Sequence, residues 1–374
     1  MRSIQIVLIV WCFLERIHDA AYFFKILQGE IMGKVKNVMI VSLSSGILGE
    51  TFLQHEMKIG VKRLEDYGLN VNFSKNALKG MEYLQKHPEV RAEDLIEAFQ
   101  SDADMILTAI GGDDTYRLLP YLFEHDELKK AVKEKIFLGF SDTTINHLML
   151  YQAGLNTFYG QSFLPDVCEM DDQMLPYTRQ YFEELLQTGR IRKIVPNDVW
   201  YDSRTDFSLS AVGTKMQIHP NKGYLLLQGK SCFEGEILGG CIDTLYDIFN
   251  NERYADSVEL CRKYHLFPEK NDWKGKILLL ESSEEKPSPE KYEKMLDALK
   301  KTGVFDVVSG VLIGKPDGEA YFEEYKTLIR KVVNNPELPI VANINVGHAA
   351  PRCIIPFGIK ARVDVKKQEI VFSY

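Results

Sequence analysis

A chain of 374 residues, 45% hydrophobic and 26% charged, can bury more than one sizeable core and is expected to form about two domains, which excludes a single small module. Its 45 basic residues are outnumbered by 53 acidic ones, and the formal net charge of -8 lacks the basic excess that a phosphate backbone demands, so no nucleic-acid partner is expected. Cys12, Cys168, Cys232, Cys241, Cys261 and Cys353 are scattered with no C-x-x-C spacing, a pattern of reduced thiols in a cytoplasmic protein and not of a disulfide or zinc framework.

Residues 4–14 form a nearly unbroken apolar run behind Arg2, which resembles a secretory h-region. No A-x-A cleavage site follows, the run is shorter than the roughly 20 residues that span a bilayer, and Glu15-Arg16 closes it. Met32 stands directly before Gly33-Lys34-Val35-Lys36 and the first clear strand, so residues 1–31 are expected to be an upstream reading-frame extension and residues 1–36 to lie outside the folded domains.

Beyond Met32, short apolar runs alternate with longer helical periods. Strands are predicted at residues 37–43, 105–110, 136–139 and 157–160, and helices at 50–67, 116–135 and 143–152. This alternation predicts a parallel sheet wrapped by helices, an N-terminal α/β domain over residues 37–170. Residues 171–232 read as a connector, with an amphipathic helix at 175–186 and then a mobile polar loop containing Pro196, Asn197, Asp202, Ser203 and Asp206. A second domain over residues 233–374 opens at Gly235-Glu236-Ile237-Leu238-Gly239-Gly240. It carries predicted strands at 276–281, 307–313 and 339–342, helices at 289–302 and 321–334, and closing β-structure at 361–372.

Four motifs lie where predicted strands end. In Leu138-Gly139-Phe140-Ser141-Asp142-Thr143-Thr144 a serine occupies the turn from strand to helix, the place of a nucleophile elbow, although Thr143 replaces the second glycine of G-x-S-x-G. An ordinary helix N-cap reads equally well there. Ile110-Gly111-Gly112-Asp113-Asp114-Thr115 exposes backbone amides that suit half of an oxyanion hole, with the Asp142 amide as the other half; a phosphate cradle or a plain tight turn fits the same string. In Asn345-Val346-Gly347-His348-Ala349-Ala350-Pro351 a loop histidine has the pKa range needed to take and return a serine proton. Glu281 ends the apolar run Ile277-Leu278-Leu279-Leu280, where a partly buried carboxylate either orients an imidazole or pairs with a cation such as Lys286.

These residues together resemble the LD-carboxypeptidase family of serine peptidases from about Val38 to Asp364. The ordered landmarks are Val41-Ser42-Leu43-Ser44-Ser45-Gly46, Ile110-Gly111-Gly112, Gly139-Phe140-Ser141-Asp142, Gly239-Gly240, Leu280-Glu281 and Gly347-His348 followed by Ile355-Pro356-Phe357-Gly358. The resemblance implies Ser141, Glu281 and His348 as catalytic triad, the amides of Gly112 and Asp142 as oxyanion hole, a Rossmann-like N-terminal domain, a β-rich α/β C-terminal domain and a homodimer. It also implies a small peptide or aminoacyl-nucleotide substrate, with no metal and no cofactor. Ser44-Ser45-Gly46 and Val199-Trp200-Tyr201-Asp202 look closer to the microcin-immunity (MccF-like) branch, with Gly111 and Asp113 beside the substrate and Trp200 either stacking on an adenine or anchoring its loop. Cys241 stands where many relatives carry asparagine. Arg117 and Arg352 are chemically suited to a terminal carboxylate. Two rivals stand beside this reading: a phosphofructokinase-like phosphoryl transferase built on Gly111-Gly112-Asp113-Asp114-Thr115, and a non-catalytic binding protein of the same fold.

Overall fold

The computed structural model describes residues 35–374, so the apolar run at 4–14 and the expected extension at 1–31 lie outside the described residues. Among the described residues no helix is long and apolar enough to cross a membrane. The first strands are β1 (Asn37–Val41), β2 (Asn70–Phe73), β3 (Met105–Thr108), β4 (Ile136–Gly139) and β5 (Thr157–Tyr159). The middle of the chain adds β6 (Lys193–Ile194), β7 (Val199–Tyr201), β8 (Ile218–Pro220), β9 (Leu225–Gln228) and β10 (Cys232–Cys241). The last are β11 (Ile277–Glu281), β12 (Gly310–Gly314), β13 (Ile340–Ile344), β14 (Ile355–Phe357), β15 (Lys360–Asp364) and β16 (Glu369–Ser373).

Among the described residues, the first sheet has the order β14-β5-β4-β3-β1-β2, and every pair from β2 to β5 is parallel. Every residue of β3 and β4 is buried, as expected of central parallel strands covered by helices on both faces, whereas β2 at the edge alternates exposed and half-buried. The second sheet runs β6-β16-β15-β10-β11-β12-β13-β9. Strand β10 joins its two characters: its first half pairs antiparallel with β15 and its second half parallel with β11. Helices Pro289–Lys301 and Phe322–Val333 pack on this sheet through Tyr292, Met295, Leu296 and Leu299 and through Tyr325, Ile329, Val332 and Val333. Those spacings are the apolar stripe of an amphipathic helix, and the first helix is entered by Pro289 behind the capping Ser288 side chain.

Two expectations change. The predicted helix at 116–135 is a 3-10 turn, Thr115–Leu118, followed by short helices Leu119–Phe123 and Glu127–Ala131, because Asp126 adopts a left-handed conformation (φ 61°) that ends one and starts the other. The polar stretch expected to be a mobile loop contains β7, which pairs with β8, and the Tyr201 amide donates to Ala350 O at 3.0 Å, tying the hairpin to the segment after His348.

The two sheets interlock through β14, which leaves the C-terminal half to become the edge strand of the first sheet, with Ile355 opposite Tyr159 and Phe357 opposite Thr157. The Phe357 ring stacks on Tyr159 at 5.1 Å and meets His147 edge-on at 5.4 Å. Phe357→Ala is expected to cost about 3–5 kcal/mol of stability. Because β14 is shared, urea unfolding of the Trp11→Phe/Trp200→Phe variant, in which Trp273 of the C-terminal half alone fluoresces, should give one transition coincident with far-UV circular dichroism; two separated transitions would count against the interlock.

Candidate active site

Ser141 begins the turn after β4, and its backbone is left-handed with φ 66°, a conformation that a non-glycine residue adopts at a cost of order 1 kcal/mol or more. Flanking contacts hold it there: Thr143 Oγ1 donates to Phe140 O at 2.7 Å, and the Ser141 amide donates to the Tyr159 hydroxyl at 3.3 Å. Gly111, after β3, lies against the serine. A Cβ at Gly111 would stand 2.7 Å from Ser141 Oγ and 3.1 Å from the Asp142 amide nitrogen, so the missing side chain leaves open a space that touches both.

Glu281 ends β11, and His348 follows β13 in the loop Gly347-His348. His348 Nδ1 donates to Glu281 Oε2 at 2.7 Å, and His348 Nε2 lies 3.0 Å from Ser141 Oγ. Gly347 has φ 90°, and a Cβ there would overlap the Glu281 carboxyl group. The loop is clamped by Arg352, whose Nε donates to Gly347 O at 2.5 Å and NH2 group to His348 O at 2.9 Å, while its NH1 group pairs with the buried Asp166 at 3.0 Å. Burial disfavours the imidazolium, but the Glu281 carboxylate outweighs that and, with Glu284, holds the His348 pKa above its ordinary value.

Neighbours complete the network. The Tyr159 hydroxyl donates to Glu281 Oε1 at 2.6 Å, and burial keeps that phenol protonated by pushing its pKa well up. Tyr159 was not singled out from sequence, although a tyrosine ending an apolar strand needs a partner for its hydroxyl, and that was the available signal. Asp142 points away from the serine, accepting from Ser44 Oγ at 2.6 Å and the Thr115 amide at 3.0 Å. Cys241, Glu281 and His348 have potential metal-ligand atoms within 4.8 Å of one another. Two of those donors, however, already share a hydrogen bond, and burial pushes the Cys241 thiol well above its usual pKa, which keeps it protonated.

The remaining expected residues are spread around this centre. Gly112 has φ 152°, and a Cβ there would collide with Ser44 Oγ. Asp113 accepts from the Tyr254 hydroxyl at 3.0 Å and from Arg253 at 3.2 Å, bridging to the second half of the chain. Trp200 lies in the β7-β8 hairpin, only 8% exposed, with its ring stacked on His219 at 4.2 Å and Lys315 Nζ 5.1 Å from its centroid, the packing of an anchor. Arg352 is bonded to the histidine loop and to Asp166, and Arg117 lies over the Tyr254 ring with Asp256 at 4.0 Å. Glu284, unremarked in sequence, has its carboxylate 3.0 Å from His348 Nε2.

Residues 38–160 match the LD-carboxypeptidase N-terminal domain and residues 234–363 the LD-carboxypeptidase C-terminal domain. The structure of an MccF-like protein from Streptococcus pneumoniae in complex with AMP is 60% identical, with TM-score 0.90, covering 91% of this chain and 99% of that one. The microcin C7 self-immunity protein MccF of Escherichia coli is 26% identical over 320 residues, 83% of this chain and 86% of its own. A probable murein peptide carboxypeptidase of Bacillus subtilis is 26% identical over 318 residues, 83% of this chain and 84% of its own.

Burial raises the Asp142 carboxyl from an ordinary 3.8 to about 7, against the opposing bonds from Ser44 and Thr115. Between those values the folded protein retains a proton that the unfolded chain has released, so this group favours the folded state below the unfolded pKa and loses that contribution as pH rises through about 7. Asp142→Asn cannot ionise, so its urea midpoint relative to wild type should improve between about pH 5 and about pH 8. A difference that stays constant across that range would show that Asp142 does not titrate there.

Proposed function

The chain belongs to the LD-carboxypeptidase family and is a serine-type peptidase, and from that premise we propose that it hydrolyses the acyl bond of an aminoacyl-nucleotide through Ser141, His348 and Glu281. The observation that carries this reading is the unbroken line from Ser141 Oγ to His348 Nε2 at 3.0 Å and from His348 Nδ1 to Glu281 Oε2 at 2.7 Å, ending on a serine in a left-handed turn. His348 takes the Ser141 proton as Oγ attacks the carbonyl carbon, then returns it to the departing atom of the leaving group. Glu281 fixes the tautomer and balances the imidazolium, and Tyr159 holds the second oxygen of Glu281. The developing oxyanion is received by the amides of Gly112 and Asp142, in the space that Gly111 leaves beside Oγ. An ester to Ser141 results, and a water activated by His348 hydrolyses it.

The AMP bound by the 60%-identical pneumococcal protein supports a nucleotide leaving group. A second reading, cleavage of the terminal residue from a murein tetrapeptide, is favoured by the similarity to the Bacillus subtilis murein peptide carboxypeptidase. The kinase-like alternative loses its acids: Asp113 is engaged by Arg253 and Tyr254, and Asp114 by the buried Arg91 at 2.6 Å. Trp200 reaches an adenine only if the hairpin releases its ring from His219.

Hydrolysis of an aminoacyl sulfamoyl adenosine and of a murein tetrapeptide, without added metal, separates the two substrates. Ser141→Ala is expected to abolish turnover of whichever is cleaved, and Glu281→Gln to lower kcat by about 10⁴-fold with the fold intact. Turnover undiminished in Ser141→Ala would remove Ser141 as nucleophile, and unchanged turnover in Glu281→Gln would remove Glu281 from the relay.

A further inference from the structure

Two oxygens lie equally near one nitrogen at the centre of the site. His348 Nε2 lies 3.0 Å from Ser141 Oγ and also 3.0 Å from Glu284 Oε2. The Glu284 carboxylate lies beside Nε2 as an ion-pair contact, and with Glu281 on Nδ1 its negative charge favours the doubly protonated imidazolium. Accepting a proton from Ser141 requires the opposite, a bare Nε2. A cation that neutralises Glu284 or draws it away therefore favours the bare Nε2 that Ser141 needs.

The surroundings leave Glu284 open to such a cation. The Glu284 side chain is 70% exposed, and His348 is its only ion-pair partner among the described residues. Its neighbours are satisfied: Glu285 pairs with Arg253 at 3.1 Å and Lys286 with Asp317 at 3.0 Å. A bound substrate brings its carbonyl carbon to Ser141 Oγ. The α-nitrogen of the same residue lies about 2.5 Å from that carbon, within reach of the exposed Glu284 carboxylate, whose Oε2 is separated from Ser141 Oγ only by the shared contact with His348 Nε2. In a single aminoacyl group that nitrogen is a free ammonium; in any longer peptidyl group it is an amide.

We propose that Glu284 is a specificity-determining residue that binds the free α-ammonium of an aminoacyl group, so that aminoacyl donors are taken in preference to peptidyl donors. The ammonium replaces the imidazolium as the partner of Glu284 and leaves Nε2 facing Ser141. The inference rests on the acyl-transfer reading of Ser141 and His348 and deepens it, because a murein tetrapeptide carries an acylated nitrogen at this position.

The test uses alanyl sulfamoyl adenosine, its lactyl analogue, in which a hydroxyl replaces the ammonium at nearly the same size, and its N-acetylalanyl analogue. Calorimetric binding to Ser141→Ala is compared with binding to Ser141→Ala/Glu284→Gln, and hydrolysis by wild type with hydrolysis by Glu284→Gln. The alanyl compound should bind about tenfold more tightly than the lactyl compound, as expected for a charge-assisted hydrogen bond, and Glu284→Gln should erase that ratio. Hydrolysis should show the same loss of preference, with the alanyl-to-lactyl ratio of kcat/KM falling in Glu284→Gln by the same factor as the binding ratio. Equal binding of the alanyl and lactyl compounds, a preference that survives Glu284→Gln, tighter binding of the N-acetylalanyl compound, or no binding of the alanyl compound would each overturn the proposal. Failure of the acyl-transfer reading registers separately, as absent or Ser141-independent turnover, while the binding ratio still reports on Glu284.

Discussion

The carboxylate of Glu281 is the point on which the arrangement depends. It is 1% exposed, and a charge buried so deeply is tolerated only when its oxygens are met by good hydrogen bonds. Oε1 is met by Tyr159 from the first sheet and Oε2 by His348 from the loop after β13 of the second. Satisfying one buried group thus requires both sheets to be in place, and the same requirement brings the imidazole to Ser141. Stability and site geometry are coupled here through a single side chain.

Around this centre, neighbouring contacts hold positions that are unfavourable in isolation. The left-handed Ser141 is bracketed by Thr143 and by the Tyr159 hydroxyl, which also bonds Glu281. The histidine loop, with Gly347 pressed against Glu281, is held by Arg352, whose own charge is balanced by the buried Asp166. Arg91 does the same on the other side, bonding Leu43 O, Ser44 O and Asp114, and so fixing the segment whose Ser44 hydroxyl reaches Asp142. These are polar contacts between segments distant in sequence, and each constrains a backbone turn next to the serine.

Strand ends were the most legible part of the sequence. Apolar runs that stop at Gly111, Ser141 and Glu281 marked the carboxyl ends of parallel strands, where open α/β sheets gather their functional groups, and Ser141, Glu281 and His348 do lie within hydrogen-bond reach of one another. Strand β14 was not legible as a strand, because three residues carry no periodicity and its partner β5 lies far back in the chain. The helix expected over 116–135 failed at Asp126, where a left-handed residue interrupts a run of good helix formers. Trp200 was ambiguous for a physical reason: an aromatic ring in a polar segment serves equally as ligand platform or as anchor, and only its stacking on His219 distinguishes the present state. Glu284 was invisible because acidic residues in a loop ordinarily mark a solvated surface.

The contrast between the two glutamates explains how one imidazole can be both fixed and available. Glu281 holds Nδ1 from inside the protein, where no water competes and no ligand can displace it, so the ring cannot turn. Glu284 meets Nε2 from the solvent side, where its carboxylate is mostly hydrated and the contact is worth little, so it can be exchanged for another cation at small cost. An orienting group must be buried to be rigid, and a discriminating group must be exposed to be exchangeable. Placing one carboxylate of each kind on the two nitrogens of His348 meets both requirements with the same chemical group, and the depth of burial sets the difference between them.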